Sequence, residues 1–296
     1  MRTRRAPLPC CYTQPVTRLI VNADDFGLTA GVNRAIAELH AGGVLTSTTL
    51  MAIAGATRDA IEKAKAAPAL GVGCHIVLVD GESTLPPRQI PSLIDNRTGK
   101  FLPTLGGFLA RLFTGRIRGA EIEAEARAQI ERLQAKGLRL THVDTHKHTH
   151  MFPAVLRAVL RAAQSCNVEA IRNPFEPVWA IEATPRARLM RMAEVRLLRR
   201  LEPICRRIIA EMEFATTEGT VAMVGTGTLD TDTLRALLHK MPAGTFELVT
   251  HPGYNDADLD RVRTRLRASR DTEREALRVL KEFAEIELIS FAELGR

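Results

Sequence analysis

Five side chains that can bind a metal or transfer a proton fall within nine consecutive residues. They are four of the eight histidines and one aspartate: His142, Asp144, His146, His148 and His150. Alternate residues of an extended backbone lie on one face, so this spacing predicts that all five share a face. Imidazole suits zinc and similar divalent metals, and a ligand histidine needs a partner for its second ring nitrogen. The pattern therefore favours a metal site over a histidine-rich surface loop.

A pair of adjacent aspartates, Asp24 and Asp25, follows a short apolar run and precedes Gly27. Neighbouring side chains of an extended segment point in different directions, so the pair is not placed to flank one glycosidic bond as acid and base. One carboxylate can bind a metal while the other accepts a proton from water. The alternative is that one of them caps a helix beginning near Thr29. The doublet, with a glycine behind it, favours the functional interpretation.

Two further histidines lie within or directly after apolar runs. His75 belongs to the glycine-rich run that starts at Gly71, and His251 follows a clear strand pattern and precedes a Pro-Gly turn. A lone histidine in an apolar strand is more often a core residue than a ligand, so His75 gains weight only from the other motifs. Cys74 alternates with His75 and is expected to face the core. His251 is a candidate general acid.

Apolar, β-branched runs alternate with helical patterns, which predicts an α/β fold with a parallel sheet. The expected strands cover residues 18–22, 45–51, 71–77, 138–144, 168–172, 220–223, 245–250 and 287–290. The expected helices cover residues 32–40, 57–66, 120–136 and 153–164. Because polar residues follow several different strands, we expect a (β/α) barrel of seven or eight parallel strands rather than an open sheet.

The length of 296 residues, 45% of them hydrophobic, is enough for one large core. We expect residues 1–16 to form a disordered tail and residues 17–296 to form a single barrel domain. Residues 80–118 are rich in proline and glycine and are expected to form an inserted loop region at the substrate site. A secretory leader, a membrane span and a disulfide framework are not evident, which favours a cytoplasmic protein.

The formal charge of +7 comes mostly from arginine. It is not accompanied by a nucleic-acid-binding signature, so nucleic acid is not an expected partner. Residues 186–207 hold eight arginines beside apolar positions such as Leu189 and Leu197. Two interpretations stay open for this segment: a barrel helix with arginines in water, or peripheral contact with the inner membrane surface. Homo-oligomerisation also stays open.

Together these motifs resemble the YdjC-type carbohydrate deacetylases, a family that includes chitooligosaccharide deacetylases. The resemblance is carried by residues 19–27, 45–49, 71–75, 142–153 and 250–252. It implies a (β/α) barrel, a divalent metal and hydrolysis of an N-acetyl group. Carried over motif by motif, it implies that Asp25, His75 and His146 bind the metal and that Asp24 is the base.

The resulting interpretation is a hydrolase that releases acetate and a free amine from an N-acetylated amino sugar. His251 protonates the leaving amine. The ligand types favour zinc, with manganese, iron, cobalt and magnesium as alternatives. Further residues are expected to bind the substrate or to support the ligands: Asn22, His142, Asp144, His148, His150, Arg172 and Asn173.

Other segments resemble a hopanoid-biosynthesis-associated branch of the family, namely residues 75–81, 90–95, 146–150 and 172–177. This resemblance implies a glycolipid substrate, an acetylglucosaminyl hopanoid. Lys147 departs from the uncharged residue that the chitooligosaccharide type tends to carry, and this difference puts the substrate in doubt more than the chemistry. A soluble chitooligosaccharide or another N-acetylglucosamine compound is the alternative substrate.

Two other kinds of function remain as alternatives. A barrel metallo-phosphoesterase or amidohydrolase also uses histidine pairs, but such a pair typically follows the first strand, where this chain has two aspartates. A non-catalytic, metal-containing protein that binds glycans or lipids would need neither Asp24 nor His251 for proton transfer.

Overall fold

The computed structural model describes residues 16–185 and 189–294. The strands in these ranges are β1 (Thr17–Phe26), β2 (Ser47–Leu50), β3 (Gly71–Ile76), β4 (Ile94–Asp95), β5 (Lys100–Phe101), β6 (Val143–Thr145), β7 (Gly219–Val221), β8 (Gly244–Thr250) and β9 (Glu287–Ile289). The helices are α1 (Ala30–Ala41), α2 (Thr57–Ala66), α3 (Leu105–Phe113), α4 (Gly119–Gln134), α5 (Pro153–Ser165), α6 (Val178–Ala183), α7 (Leu189–Leu198), α8 (Glu202–Glu211), α9 (Thr231–His239), α10 (Ala257–Asp260) and α11 (Arg267–Ala276). The expected tail lies outside the described residues, except for residue 16.

Seven strands form one parallel sheet in the order β6-β3-β2-β1-β8-β7, with β9 paired to β1. Strand β1 has three partners: β8 along most of its length, β9 beside residues 18–20, and β2 beside residues 22–26. Isolated bridges from Val143 to Ile171 and from Ala170 to Ala215 continue the ring of strands from β6 toward β7. The expected parallel α/β barrel is therefore confirmed, with one side held by single bridges instead of ladders.

The burial of the strands explains why their sequences are apolar. Leu19, Ile20 and Val21 of β1 are fully buried, because β1 lies in the middle of the sheet with helices around it. Helix α5 begins with Pro153, whose fixed φ suits the first helical position, and buries apolar residues such as Val155 and Val159. Most of the core residues belong to a single connected cluster.

Two predicted strands are much shorter than expected. Residues 138–142 do not continue β6, which begins only at Val143, and residues 168–172 contribute only isolated bridges. Residues 168–172 have little room for a longer series of β-sheet hydrogen bonds. Asn167 before it has a left-handed φ of 56°, and Pro174 after it lacks a backbone N–H to donate.

The histidine-rich segment is not extended, so the expected common face is wrong. Strand β6 ends at Thr145, and His146–Met151 forms a 3-10 helix in which Lys147 and His148 have left-handed φ values of 58° and 50°. The turn separates His146 from the histidines that follow it. Only part of the segment can therefore contribute to one site.

The insertion of residues 80–118 is an ordered structure built from the β4–β5 hairpin and helix α3. Thr104 caps α3 by accepting a hydrogen bond from the Gly107 N–H at 3.1 Å. Arg111 of α3 donates to the carbonyl oxygens of Ser92 and Ile94. These bonds hold the start of α3 in place beside the strand ends. Among the described residues, no helix is both long and apolar enough to cross a bilayer.

Candidate active site

A cavity of about 970 Å³ opens where the strands end. The carboxyl-terminal parts of β1 and β3 and the residues after β6 and β8 form its floor. Its walls come from residues 103–106 of the insertion, from helix α7 and from residues 262–267. Functional residues of (β/α) barrels lie at this end of the strands, so the cavity is the candidate active site.

Three potential metal ligands meet on the cavity floor. Asp25 comes from β1, His75 from β3 and His146 from the first residue after β6. The Asp25 Oδ1 lies 3.6 Å from the His75 Nε2 and 3.5 Å from the His146 Nδ1, and the two nitrogens are 3.2 Å apart. Two imidazoles and one carboxylate are the ligands of many catalytic zinc sites and leave positions open for water and substrate. The donor set thus fits a divalent cation.

The second nitrogen of His75 is also partnered, as a ligand histidine requires. The His75 Nδ1 lies 2.7 Å from the Asp144 Oδ1, which orients the imidazole so that its Nε2 faces Asp25. Burial would lower the pKa of His75, but the carboxylate of Asp144 raises it to about 9. The carboxylates around this ring therefore stabilise a positive charge at the place where a cation would bind.

The backbone of Asp25 explains how two neighbouring aspartates reach one cavity. Asp25 has a left-handed φ of 66°, and the β1–β2 register shifts between Ala23 and Phe26. Both aspartates line the cavity, while their carboxylates contact different arginines, Asp24 with Arg172 and Asp25 with Arg270. Such a conformation costs a residue with a side chain roughly 1–3 kcal/mol and is often found at functional sites.

Asp24 is held by a buried arginine. The Arg172 Nη1 and Nη2 donate to the two carboxylate oxygens of Asp24 at 2.9 and 2.6 Å. Thr49 and Asn22 donate to the Asp24 Oδ1 at 3.1 and 3.0 Å. Burial would raise the pKa of Asp24, but the Arg172 guanidinium and His75 hold it well below its usual range. The carboxylate is therefore ionised, which is the state that can accept a proton.

Arg172 connects several strands through its fully buried guanidinium. Besides Asp24, it forms an ion pair with Asp144 and donates from Nε to the Glu247 Oε1 at 2.8 Å. Burial raises the pKa of Glu247 to about 7, against the lowering effect of Arg172. Glu247 was not expected to take part, because an acidic residue in a strand pattern has no signature of its own.

His251 follows β8, the strand next to β1, and lies beside Asp24. Its Nε2 lies 3.8 Å from the Asp24 Oδ2, and its Nδ1 lies 3.8 Å from the Glu273 Oε2. The backbone N–H of His251 donates to the same Glu273 oxygen at 2.6 Å. Burial raises the pKa of Glu273. One nitrogen of His251 is thus directed to Asp24 and the other to a buried glutamate.

Helix α11 supplies two residues that the sequence did not single out, Arg270 and Glu273. The Arg270 Nη2 donates to the Asp25 Oδ2 at 2.5 Å, and both α11 residues are buried. Arg270 is fully buried, although arginine is ordinarily found on solvated helix faces. The sequence signal for this pair is the three-residue spacing between Arg270 and Glu273, which places both on one side of the helix.

Of the remaining predicted site residues, His148 lines the cavity, whereas His142, His150 and Asn173 do not. The His150 Nδ1 is bonded to the Thr145 Oγ1 at 2.7 Å. His142 stacks on Phe291 with ring centroids 3.8 Å apart, and burial lowers its pKa to about 3. Asn173 donates to the Thr217 carbonyl oxygen. His142 and Asn173 therefore support the fold around the site and do not line the cavity.

Two carbohydrate deacetylases are similar to this chain in sequence. A carbohydrate deacetylase of Brevibacillus brevis is 40% identical over 158 residues, which are 53% of this chain and 60% of that protein. The matched part thus spans about three fifths of that relative. A carbohydrate deacetylase of Thermoanaerobacter pseudethanolicus is 27% identical over 262 residues, 88% of this chain and 90% of that protein.

The fold also has a solved counterpart. A crystal structure from Enterococcus faecalis V583, named as a candidate cellobiose-phosphate cleavage protein, superposes with a TM-score of 0.73 and 26% identity, covering 93% of this chain and 98% of the other. The family described as YdjC-like protein matches residues 18–284, a span that includes every residue of the cavity floor. This chain therefore belongs to the YdjC-like protein family.

Proposed function

We propose that this protein is a metal-dependent hydrolase that removes the acetyl group from an N-acetylated amino sugar. The observation that carries the proposal is the placement of Asp24 and His251 beside the Asp25, His75 and His146 ligand set. The two relatives from Brevibacillus brevis and Thermoanaerobacter pseudethanolicus are named carbohydrate deacetylases, which supports the same reaction class. A metal-containing binding protein would have no use for this pair of proton-transfer groups.

The residues divide the chemistry between them. A divalent cation held by Asp25, His75 and His146 would polarise the acetamide carbonyl and lower the pKa of a water molecule. Asp24 accepts the proton of the attacking water, and Arg172 orients the carboxylate through its two hydrogen bonds. His251 donates a proton to the amine as the C–N bond breaks. Water is consumed, and the products are acetate and the free amino sugar.

Three buried contacts keep these groups in position before the substrate arrives. Asp144 fixes the His75 ring, and Glu273 holds the backbone of His251. Arg270 binds the Asp25 oxygen opposite the one that faces the histidines. Catalysis gains from such preorganisation because the groups do not have to reorganise during the reaction.

For the substrate we propose an acetylglucosaminyl hopanoid glycolipid, handled by a cytoplasmic enzyme. The support is the resemblance of residues 75–81, 90–95 and 172–177 to that branch. Lys147 forms an ion pair at the cavity wall, with its Nζ 2.9 Å from the Asp80 Oδ2. The alternative is a soluble chitooligosaccharide, which the same reaction chemistry would accept.

The test is acetate release from a small panel: N-acetylglucosamine, N,N′-diacetylchitobiose and a lipid-linked N-acetylglucosamine. Protein stripped with a chelator and dialysed is compared with the same protein after addition of zinc, manganese or cobalt. We expect loss of turnover on stripping and recovery with at least one metal. Full activity of demonstrably metal-free protein would contradict the mechanism, and failure on every N-acetylated sugar would contradict the reaction.

A further inference from the structure

Helix α7 forms one wall of the cavity, and most of its residues are not buried. Of its ten residues, only Val195 is buried. Its inner side lines the cavity through Arg191, Leu198 and the first residue after the helix, Arg199. The opposite side of the helix faces away from the protein. The side chains on this outer side therefore determine which molecules can approach the cavity mouth.

The outer side carries large apolar side chains in an unusually exposed state. Leu189 and Met190 are 83% and 86% exposed, and Leu197 is 59% exposed. Ile204 of α8 is 51% exposed. These residues belong to one nearly continuous helical stretch, because α7 and α8 are joined only by a 3-10 turn at Arg199–Leu201. Exposed apolar groups of this size often mark an interaction surface.

Arginines lie on the same side of the helical stretch. Arg196, Arg200 and Arg207 are exposed and follow Leu189 at steps of 7, 4 and 7 residues, so they recur on one face. Within the part of the chain that the structure describes, Arg200 and Arg207 have no carboxylate partner, and Arg196 approaches Glu182 only at 3.9 Å. The outer side therefore combines apolar groups with positive charge that is largely uncompensated.

We propose that this outer face, formed by Leu189, Met190, Arg196, Leu197, Arg200, Ile204 and Arg207, docks on an anionic lipid bilayer. A helix with apolar and cationic groups on one face lies in the bilayer interface, with its apolar side chains among the acyl chains and its cations at the head groups. A nucleic acid would match the arginines but not the exposed leucines and methionine. Docking by this face brings the bilayer to the wall of the cavity.

The charge contribution can be measured with vesicles and a matched pair of variants. The full chain is sedimented with phosphatidylglycerol–phosphatidylcholine vesicles and with pure phosphatidylcholine vesicles, at low and at high salt. The test variant is Arg196→Gln, Arg200→Gln and Arg207→Gln combined. The control combines Lys136→Gln, Arg139→Gln and Lys240→Gln, which removes the same charge from exposed residues preceding β6 and β8, at the opposite end of the barrel.

We expect wild type and control to bind anionic vesicles at low salt and to be largely released at high salt, since exposed charges are screened. The arginine variant should partition about 10²-fold less, because each cation near the surface contributes roughly 1 kcal/mol. Equal binding by the arginine variant and the control would overturn the assignment to this face. No binding of wild type to anionic vesicles at low salt would overturn the proposal altogether.

A second variant tests the apolar part: Leu189→Ser, Met190→Ser and Leu197→Ser combined. It should lose the vesicle binding that remains at high salt, while all variants keep the thermal unfolding profile of wild type, because the changed residues are exposed. Analytical ultracentrifugation addresses a competing occupant. A wild-type dimer that the serine variant converts to a monomer, without any vesicle binding by wild type, would assign the face to a second copy and contradict docking on lipid. None of these measurements depends on deacetylase activity.

Discussion

Asp24 and Asp25 are neighbours in sequence but are paired with different buried arginines. Arg172 binds both oxygens of Asp24, whereas Arg270 binds one oxygen of Asp25 and leaves the other facing two histidines. A carboxylate with both oxygens engaged by a guanidinium is less available to a metal. This difference supports the proposed assignment of the ligand role to Asp25 and of the proton-accepting role to Asp24.

This separation predicts opposite defects for two isosteric substitutions. Asp24→Asn should retain the metal and lose about 10²–10⁴-fold of kcat, the usual contribution of a general base. Asp25→Asn should weaken metal affinity by about 10-fold or more, since even groups that only support a ligand are worth about 10–100-fold. Metal content by mass spectrometry and steady-state kinetics measure both effects.

Asp59→Asn is the matched control, because Asp59 bonds Asn33 and Lys63 and does not line the cavity. It should leave both metal content and kcat close to those of wild type. If Asp24→Asn loses the metal while Asp25→Asn retains it, the two roles are reversed.

At the scale of single residues, the sequence identified the side chains with distinctive chemistry and two of their buried partners, Arg172 and Asp144, but missed the other partners. Asp24, Asp25, His75 and His251 could be predicted because two adjacent carboxylates and strand-end histidines are uncommon. Arg270 and Glu273 could not, since arginine and glutamate are ordinary on helix surfaces, and Glu247 could not, since an acidic residue in a strand pattern has no signature of its own. Their burial depends on which side of an element faces the cavity, and that is set by tertiary packing.

At the scale of elements, the backbone between β6 and α5 positions the site. The 3-10 helix His146–Met151 directs His146 into the cavity after a strand of only three residues. Histidines at alternate positions predict a longer extended segment. The backbone turns after Thr145, so this two-residue period does not describe the rest of the segment. Two left-handed residues in succession are not predictable from Lys147 and His148, because a positive φ is uncommon for every residue other than glycine. The strands with long β-branched runs, such as β8, were predicted closely.

The packing of β3 against the residue before β6 leads to a stability prediction. A Cβ atom added at Gly73 would lie 2.6 Å from ring atoms of His142, and that ring is stacked on Phe291. Gly73→Ala should therefore reduce the free energy of unfolding by about 1–3 kcal/mol, as overpacking typically does. Urea denaturation measures the change.

Gly119→Ala provides the comparison, because a Cβ at Gly119 in the first turn of α4 meets nothing within 4 Å. It should leave stability unchanged or increase it by about 0.4–1 kcal/mol. A Gly73→Ala protein as stable as wild type would show that His142 can move away, and the tight packing would then not be required.

At the scale of the whole molecule, the proposed metal would join three strands that lie apart in sequence. Its ligands come from β1, β3 and the end of β6, and those strands lie on the part of the ring that leads to the isolated bridges. A ligand that binds only the folded state stabilises it by mass action. Binding of the proposed metal would therefore stabilise the folded protein as well as support catalysis.

We expect zinc added to metal-stripped protein at about 100 times its dissociation constant to add about 2.7 kcal/mol to the free energy of unfolding. Differential scanning fluorimetry should show a rise in Tm of several degrees. The control is His146→Ala, because the His146 side chain is 23% exposed and its loss should disturb the metal-free fold little. An equal rise in Tm for this variant and wild type would place the metal elsewhere.

The central position of β1 has a consequence for how the chain is made. Strand β1 leaves the ribosome long before its partners β8 and β9, which follow it far along the chain. At roughly 5–20 residues per second, translation takes on the order of ten seconds or more to reach them. Throughout that interval one edge of the apolar strand that carries both aspartates has no partner strand. The nascent protein therefore presents to the chaperones of the cell a strand whose residues 19–26 are all buried in the finished protein.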